Sequence, residues 1–226
     1  MKIDILTIFP ELFNSFLDNG IVYRAREKKL LDVELHNIRD YTEDKHHQVD
    51  DYPFGGGAGM VMKPEPLHAA ITAVLKEDEI PVVYFTPQGR LLNQDIVNRY
   101  KGKQRIILLC GHYKEIDQRI RDTLVTDEIS IGDYVLSGGE VPAMVMIDAV
   151  ARLIDGVIGD IESALSDSHQ QGLLGAPHYT RPSEFNGMKV PDVLVSGNHA
   201  EIDKWREKRA LELTRERRPD LYYGRS

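Results

Sequence analysis

One cysteine, Cys110, stands among 226 residues, so the chain forms no internal disulfide. That usage fits a reducing, cytoplasmic compartment. Long apolar runs are missing too. None approaches the roughly 20 residues needed to cross a bilayer, so no membrane partner is expected. The N-terminal stretch MKIDILTIFPELF has one lysine and no small-residue cleavage site, and reads as a first strand rather than a signal peptide. Repeats and low-complexity tracts are absent. Positive charge is in deficit: the net charge is −8, which taken alone argues against a protein that coats nucleic acid.

What remains is ordinary globular material, 42% hydrophobic and 28% charged. The length suits one compact domain plus a small second one and can bury a core without staples. Charge is unevenly spread. Between Lys204 and Arg218 seven basic residues face three acidic ones, a local excess of +4. A solvated helix face and an anion-binding face are both open readings of that run.

Strand-like apolar runs occur at Lys2–Phe9, Val33–Ile38, Pro81–Thr86, Arg105–Cys110 and Leu124–Ile131. Several are almost continuously apolar, as strands covered on both faces are. Helical spacing lies between them: Leu67, Ala70, Ile71 and Val74 share a face of Pro64–Lys76, and Asn93 caps a helix carrying Ile96, Val97 and Tyr100. The alternation predicts an α/β domain with a largely parallel sheet. Val141–Ile154 is apolar almost all round and belongs in the core or at a subunit interface. Its start is ambiguous between a Ser137–Glu140 capping box and Pro142 at the first helical position. After Gly159 the composition turns polar. Residues 160–176 read as a linker that is mobile until something binds. A short C-terminal unit follows, with a helix start at Asn198 and Glu201, a stripe of Ile202, Trp205 and Leu213, and a limit at Pro219.

Three glycine-bearing loops follow three of the strands: Thr86–Arg90 (TPQGR), Gly111–Tyr113 (GHY) and Ile131–Gly139 (IGDYVLSGG). Ligands bind at the carboxyl ends of parallel strands. One composite pocket, built largely of backbone amides, would suit the adenine and ribose edges of a nucleotide-like cofactor; three unrelated turns is the plain alternative. Gly55–Gly59 (GGGAG) is neither a P-loop nor a dinucleotide fingerprint, and reads as a flexible surface loop or a close approach to a partner. Asp148 and Arg152 have the spacing of an intrahelical ion pair, yet a guanidinium on so apolar a helix could also serve an anion or a carbonyl oxygen. Asp167 on composition alone is a solvated carboxylate. Cys110 ends a strand and reads as a buried structural thiol. His46 and His47 beside Asp50 and Asp51 have no established zinc spacing, and no metal ligand is assigned. His178, Tyr179 and Arg181 offer rings and a cation usable for stacking on RNA bases.

These residues carry a resemblance. IFPELF, VDDYPFGGGAGM, TPQGR, CGHY, DEISIGDYVLSGGE, HYTRP and VPDVLVSGNHAEIDKWR appear in the order found in bacterial tRNA (guanine-N1)-methyltransferases of the SPOUT class, across essentially the whole chain. The resemblance implies a SPOUT-type α/β domain at 1–159 whose parallel sheet carries a deep trefoil knot, a mobile linker at 160–176, and a small, mostly helical tRNA-binding domain at 177–226. It implies a homodimer that binds S-adenosylmethionine and methylates the guanine 3′ of the anticodon. Magnesium comes with the resemblance as a further requirement, with no protein ligand assigned.

Carried over residue by residue, the cofactor loops are Tyr84, Phe85, Thr86, Pro87 and Gly89; Gly111; Ile131, Gly132, Asp133, Tyr134, Val135, Leu136, Gly138 and Gly139; and Pro142. The general base falls on Asp167 and the key arginine on Arg152. RNA contacts fall on Ser168, His178, Arg181, Lys204, Arg209 and Arg215. The sequence departs from the family in three places: Lys114-Glu115 follows GHY where Glu-Gly is usual, Gly175 stands where an acidic residue is usual, and the C-terminus reads as shorter than in many relatives. Another SPOUT methylase acting on ribosomal RNA or a ribose hydroxyl, and a non-catalytic RNA-binding dimer, are the alternatives.

Overall fold

Each of the five apolar runs forms a strand, and the five make one parallel sheet. A computed structural model describes residues 1–76, 79–159, 167–170 and 172–223. The chain divides into two compact units, Met1–Gly159 and Asp160–Ser226.

In the first unit the sheet strands are β1 (Lys2–Thr7), β2 (Asp32–Asn37), β5 (Val82–Leu91), β6 (Arg105–Leu109) and β8 (Asp127–Ser130), in the order β2-β1-β6-β5-β8. All neighbours run parallel, with Lys2 level with both Asp32 and Arg105, and Val83 level with Asp127. A smaller sheet joins β3 (Asp50–Asp51), β4 (Val61–Met62) and β7 (Glu115–Ile116). Between strands lie α1 (Asn14–Leu17), α2 (Gly20–Glu27), α3 (Pro64–Leu75), α4 (Gln94–Lys101), α5 (Gln118–Thr123) and α6 (Glu140–Ala151).

Strand alternation splits the core into two layers. Leu67, Ala70, Ile71 and Val74 of α3 pack on Leu6, Val82, Ile107 and Leu109. Ile3, Ile5, Ile106 and Leu108 alternate to the other face and are fully buried, while α6 packs on α2 and α4. Burying a Leu or Ile contributes about 1.5–3 kcal/mol, so this double layer supplies most of the unit's stability. Asn93 caps α4 as expected, its Oδ1 accepting from Ile96 N–H at 3.0 Å.

Two local expectations need correction. TPQGR is not a loop beyond the end of a strand. β5 continues through it to Leu91, looping out between Phe85 and Arg90, both of which pair with Ile129. Gly89 makes this return possible: a Cβ there would lie 2.5 Å from the backbone of Glu128 and Ile129. The start of α6 follows neither expected signal. Gly139 is its N-cap with no side-chain cap bond, and Pro142 falls in the third helical position. Glu140 is instead drawn inward, as described below.

At the amino ends of the strands a carboxylate is fully buried. Asp4 accepts from Arg105 Nε at 2.7 Å and meets His36 Nε2 at 3.0 Å, with Lys2 Nζ at 3.5 Å. Burial raises its pKa, but the hydrogen bonds from His36 and Arg105 outweigh that and hold it at about 2. An unfolded aspartate titrates near about 3.9. The network therefore stabilises the fold above that pH and loses its contribution as pH falls toward 2. Asp4→Asn is expected to cost about 3 kcal/mol at neutral pH, with a gap that narrows below about pH 3. Melting curves at the two pH values check this, and equal melting at neutral pH contradicts it.

The second unit contains a hairpin of β9 (Glu184–Phe185) and β10 (Met188–Lys189), then α7 (Asp192–Val195), α8 (His199–Arg217) and α9 (Pro219–Tyr223). Asn186 and Gly187 turn the hairpin with φ of +51° and +78°, the left-handed pair that an Asn-Gly turn supplies. Asn198 caps α8, accepting from Glu201 N–H at 3.4 Å. Of the expected linker, residues 160–166 and 171 lie outside the described residues.

Candidate active site

The carboxyl ends of β6 and β8, and the part of β5 that loops out between them, open into one cleft. Its wall is made by three segments: Tyr84–Pro87 of β5, Gly111–Glu115 after β6, and Ile129–Gly138 from β8 onward, with Pro142 of α6 beside them.

Two of these segments are bound to each other. Gly139 N–H donates to Gly111 O at 3.0 Å, and His112 bridges to Gly138 in antiparallel fashion. Glycine is required at this crossing. A Cβ on Gly139 would lie 2.7 Å from Cys110 Cα, and one on Gly138 would strike the His112 ring. Beneath the crossing, Glu140 is almost fully buried. One oxygen accepts from Thr7 Oγ1 at 2.7 Å, and the other meets His112 Nε2 at 3.1 Å. The 131–139 loop also braces itself: Ser130 Oγ accepts from Gly132 N–H at 3.2 Å, and Tyr134 OH donates to Ile131 O at 3.1 Å.

The floor is polar. Tyr84 OH donates to Glu115, and Arg121 sits 5.7 Å from the Tyr84 ring centroid while pairing with Glu115 at 3.4 Å and Glu128 at 2.7 Å. Burial first, and the bond to Glu115 second, push the Tyr84 phenol up, so it remains a donor. A Cβ on Gly111 would lie 2.7 Å from the Tyr84 ring, so the ring packs against bare backbone. Cys110 is fully buried and burial pushes its thiol well up, which leaves it no nucleophilic role.

On α6, Val141, Val145, Asp148 and Arg152 are all exposed and fall on one helix face. Val141 and Val145 are 53% and 43% exposed, an apolar stripe without cover in the single chain.

In the second unit, residues 167–170 and 172–175 are joined by hydrogen bonds. Gln170 N–H donates to Asp167 O at 3.3 Å, His169 N–H to Leu173 O at 2.7 Å, and Gly175 N–H to Ser168 Oγ at 2.8 Å. Asp167 and Ser168 are exposed. A separate cavity of the same unit is lined by His178, Tyr179, Arg181 and Arg206 over Val190, Leu194 and Ile202.

Sequence comparison settles the family. Residues 1–224 match the family described as tRNA (Guanine-1)-methyltransferase TrmD. The chain belongs to this tRNA (guanine-1)-methyltransferase family. It is 56% identical over 223 residues to the tRNA (guanine-N(1)-)-methyltransferase of Dehalococcoides mccartyi (strain ATCC BAA-2266), covering 98% of this chain and 90% of that protein. It is 52% identical over 225 residues to the protein so named in Clostridioides difficile (strain 630), covering 98% and 97%. The Moorella thermoacetica protein of the same name is 54% identical over 224 residues, covering 98% and 90%.

For this methyltransferase family member, the residues expected around the cofactor fall in two groups. Tyr84, Phe85, Thr86, Pro87, Gly111, Ile131, Gly132, Tyr134, Val135, Leu136, Gly138 and Pro142 line the cleft. Gly89, Gly139 and Asp133 do not; the two glycines hold the wall from behind, and Asp133 faces solvent. Lys114, Glu115, Ile129 and Ser130 also line the cleft and lie outside the expected loops, while His112, Tyr113 and Ser137 belong to those loops but were not assigned to the cofactor. The Lys114-Glu115 departure was the available signal for Glu115. Asp167 and Arg152 lie in different units. His178 and Arg181 share the cavity of the second unit, whereas Lys204 pairs with Glu201 at 2.9 Å and Arg209 with Glu212 along α8. Such exposed pairs are worth about 0.2–0.5 kcal/mol and give way easily to a phosphate. Arg215 is exposed.

Proposed function

We propose that this chain transfers a methyl group from S-adenosylmethionine to N1 of the guanine 3′ of the anticodon, position 37, in tRNA. One observation carries the reading: three segments, one looping out of β5 and two following β6 and β8, the latter two locked by a glycine crossing, line a single cleft in a chain of this family.

The cleft fits the donor. Its backbone-rich rim suits the polar edges of an adenosine, and Phe85, Ile129, Leu136 and Pro142 offer an apolar bed. When bound there, S-adenosylmethionine supplies a methyl group activated by a sulfonium. The chain's own groups do the rest. Guanine N1 carries a proton at neutral pH and is a poor nucleophile until it leaves. Asp167 takes that proton as general base. Arg152 stabilises the negative charge that builds on O6. Ser168, His178, Arg181, Lys204, Arg209 and Arg215 hold the RNA.

A trefoil knot in the first unit is what the resemblance implies, and the match to this family supports it. The uncovered stripe of Val141 and Val145 supports a homodimer in which α6 meets its copy, with each active site shared between subunits. The substrate and the lone cysteine both suit the cytoplasm. Magnesium has no fitting site: among the described residues, the one cluster of three ligand atoms is Asp4, Glu34 and His36, already neutralised by Lys2 and Arg105. We derive no step through the ion.

Incubating the protein with unmodified tRNA and S-adenosylmethionine, then mapping the product by mass spectrometry, tests the reading. A single methyl on N1 of the guanine 3′ of the anticodon is expected. A ribose methyl, a different nucleotide, or no transfer overturns it.

A further inference from the structure

The second unit is stitched together by a hydroxyl. Among its described residues only two are buried, Ile202 at 8% and Thr214 at 0% exposure. Thr214 lies in the last turn of α8, where a β-branched hydroxyl residue is a poor helix former and its bond back to the preceding turn brings little. Valine would have nearly the same shape and no polar atom to bury. The hydroxyl therefore needs a second reason, and the hydrogen bonds give one.

Thr214 Oγ1 donates to Ala210 O at 2.7 Å, which consumes its proton and turns its lone pairs outward. There it accepts from Leu174 N–H at 2.9 Å. Leu174 lies between two residues that are hydrogen-bonded to the segment next to Asp167. On one side of it Leu173 O holds His169 N–H at 2.7 Å, and on the other Gly175 N–H is held by Ser168 Oγ at 2.8 Å. The segment 173–175 is thus tied across to 168–169, next to Asp167 in sequence, and among the described residues the Thr214 side chain joins it to α8. Thr214 thereby links α8 to the segment that is hydrogen-bonded to the residues next to Asp167.

We propose that Thr214 is a positioning residue for Asp167: it sets the loop carrying that carboxylate without touching substrate. The proposal rests on the reading of Asp167 as the general base. Thr214→Val keeps the volume and removes the acceptor. A displacement of about 1 Å at a catalytic group can cost about a hundredfold in rate. Single-turnover methyl transfer by Thr214→Val is therefore expected to fall by about ten- to a hundredfold, with the KM for tRNA and the affinity for S-adenosylmethionine each within about twofold. Thr214→Ser, which keeps the hydroxyl, is expected to restore most of the rate.

A cycle with Asp167→Asn separates positioning from general support of the fold. Residues acting through one group are strongly non-additive. Thr214→Val is expected to slow the wild-type background and to leave the residual rate of Asp167→Asn unchanged. Equal slowing in both backgrounds, or no slowing in either, overturns the proposal. Failure of the underlying reading looks different: Asp167→Asn alone would then turn over like wild type. A Thr214→Val protein whose second unit no longer binds tRNA, while Thr214→Ser does, also overturns it, because the hydroxyl would then be holding the fold rather than the base.

Discussion

Asp167→Asn is expected to slow methyl transfer by about a hundred- to ten-thousandfold, the range that a positioned general base contributes, while S-adenosylmethionine binds as before. Asparagine has the same shape and accepts no proton at any useful pH. The substrate's N1 then keeps its hydrogen through the approach to the methyl donor, and the barrier rises by the cost of removing it later. Donor affinity is independent because every residue lining the cleft lies between 84 and 142, in the other unit. Tritium transfer under single-turnover conditions reads the first quantity and calorimetry the second. Turnover comparable to wild type contradicts the role. Loss of donor binding together with rate does so as well, because it would make Asp167 part of the donor site.

The other large effect is expected at Gly139. Its backbone, with φ of −83°, is one that alanine adopts without strain. The penalty is therefore purely steric. The added methyl meets Cys110 Cα at 2.7 Å, Gly111 N at 3.1 Å and Cys110 Cβ at 3.2 Å. Backbone atoms cannot rotate away, so the crossing must open and the bond from Gly139 N–H to Gly111 O must stretch. Both segments at the crossing belong to the cleft wall. Gly139→Ala is expected to weaken S-adenosylmethionine binding at least about a hundredfold and to lower stability by about 3 kcal/mol, the upper range for overpacking. Gly159→Ala is the control: a Cβ there meets nothing within 4 Å, and a change within about 0.5 kcal/mol is expected. Calorimetry and thermal unfolding of the two variants check both statements. Wild-type donor affinity in Gly139→Ala would show that the crossing does not shape the site.

The legible parts of this protein are those set by local pattern. Continuous runs such as Arg105–Leu109 and Lys2–Thr7 mark strands covered on both faces, and the spacing of Leu67, Ala70, Ile71 and Val74 marks the helix that covers one of them. Glycines after three strands pointed to a shared cleft, and the three segments do meet. What escaped depends on contacts between residues far apart in sequence. The bond between Gly139 and Gly111, the inward turn of Glu140 onto Thr7 and His112, and the grip of Thr214 on Leu174 leave no periodic trace. The length of β5 escaped for a related reason. Thr86–Gly89 has the composition of a turn, and only the approach of Gly89 to Glu128 returns the chain to its neighbour. Asp167 is different again. Its surroundings are polar and exposed, so composition reads it as a solvated carboxylate, and its proposed role comes from resemblance and chemistry together.

The most direct test is a crystal structure of the protein with S-adenosylmethionine and an anticodon stem-loop. The distance between the Asp167 carboxylate and guanine N1 is expected to be about 2.6–3.2 Å, hydrogen-bond reach for a base and its proton. A carboxylate well outside that reach in every copy, with donor and guanine both in place, would contradict the mechanism.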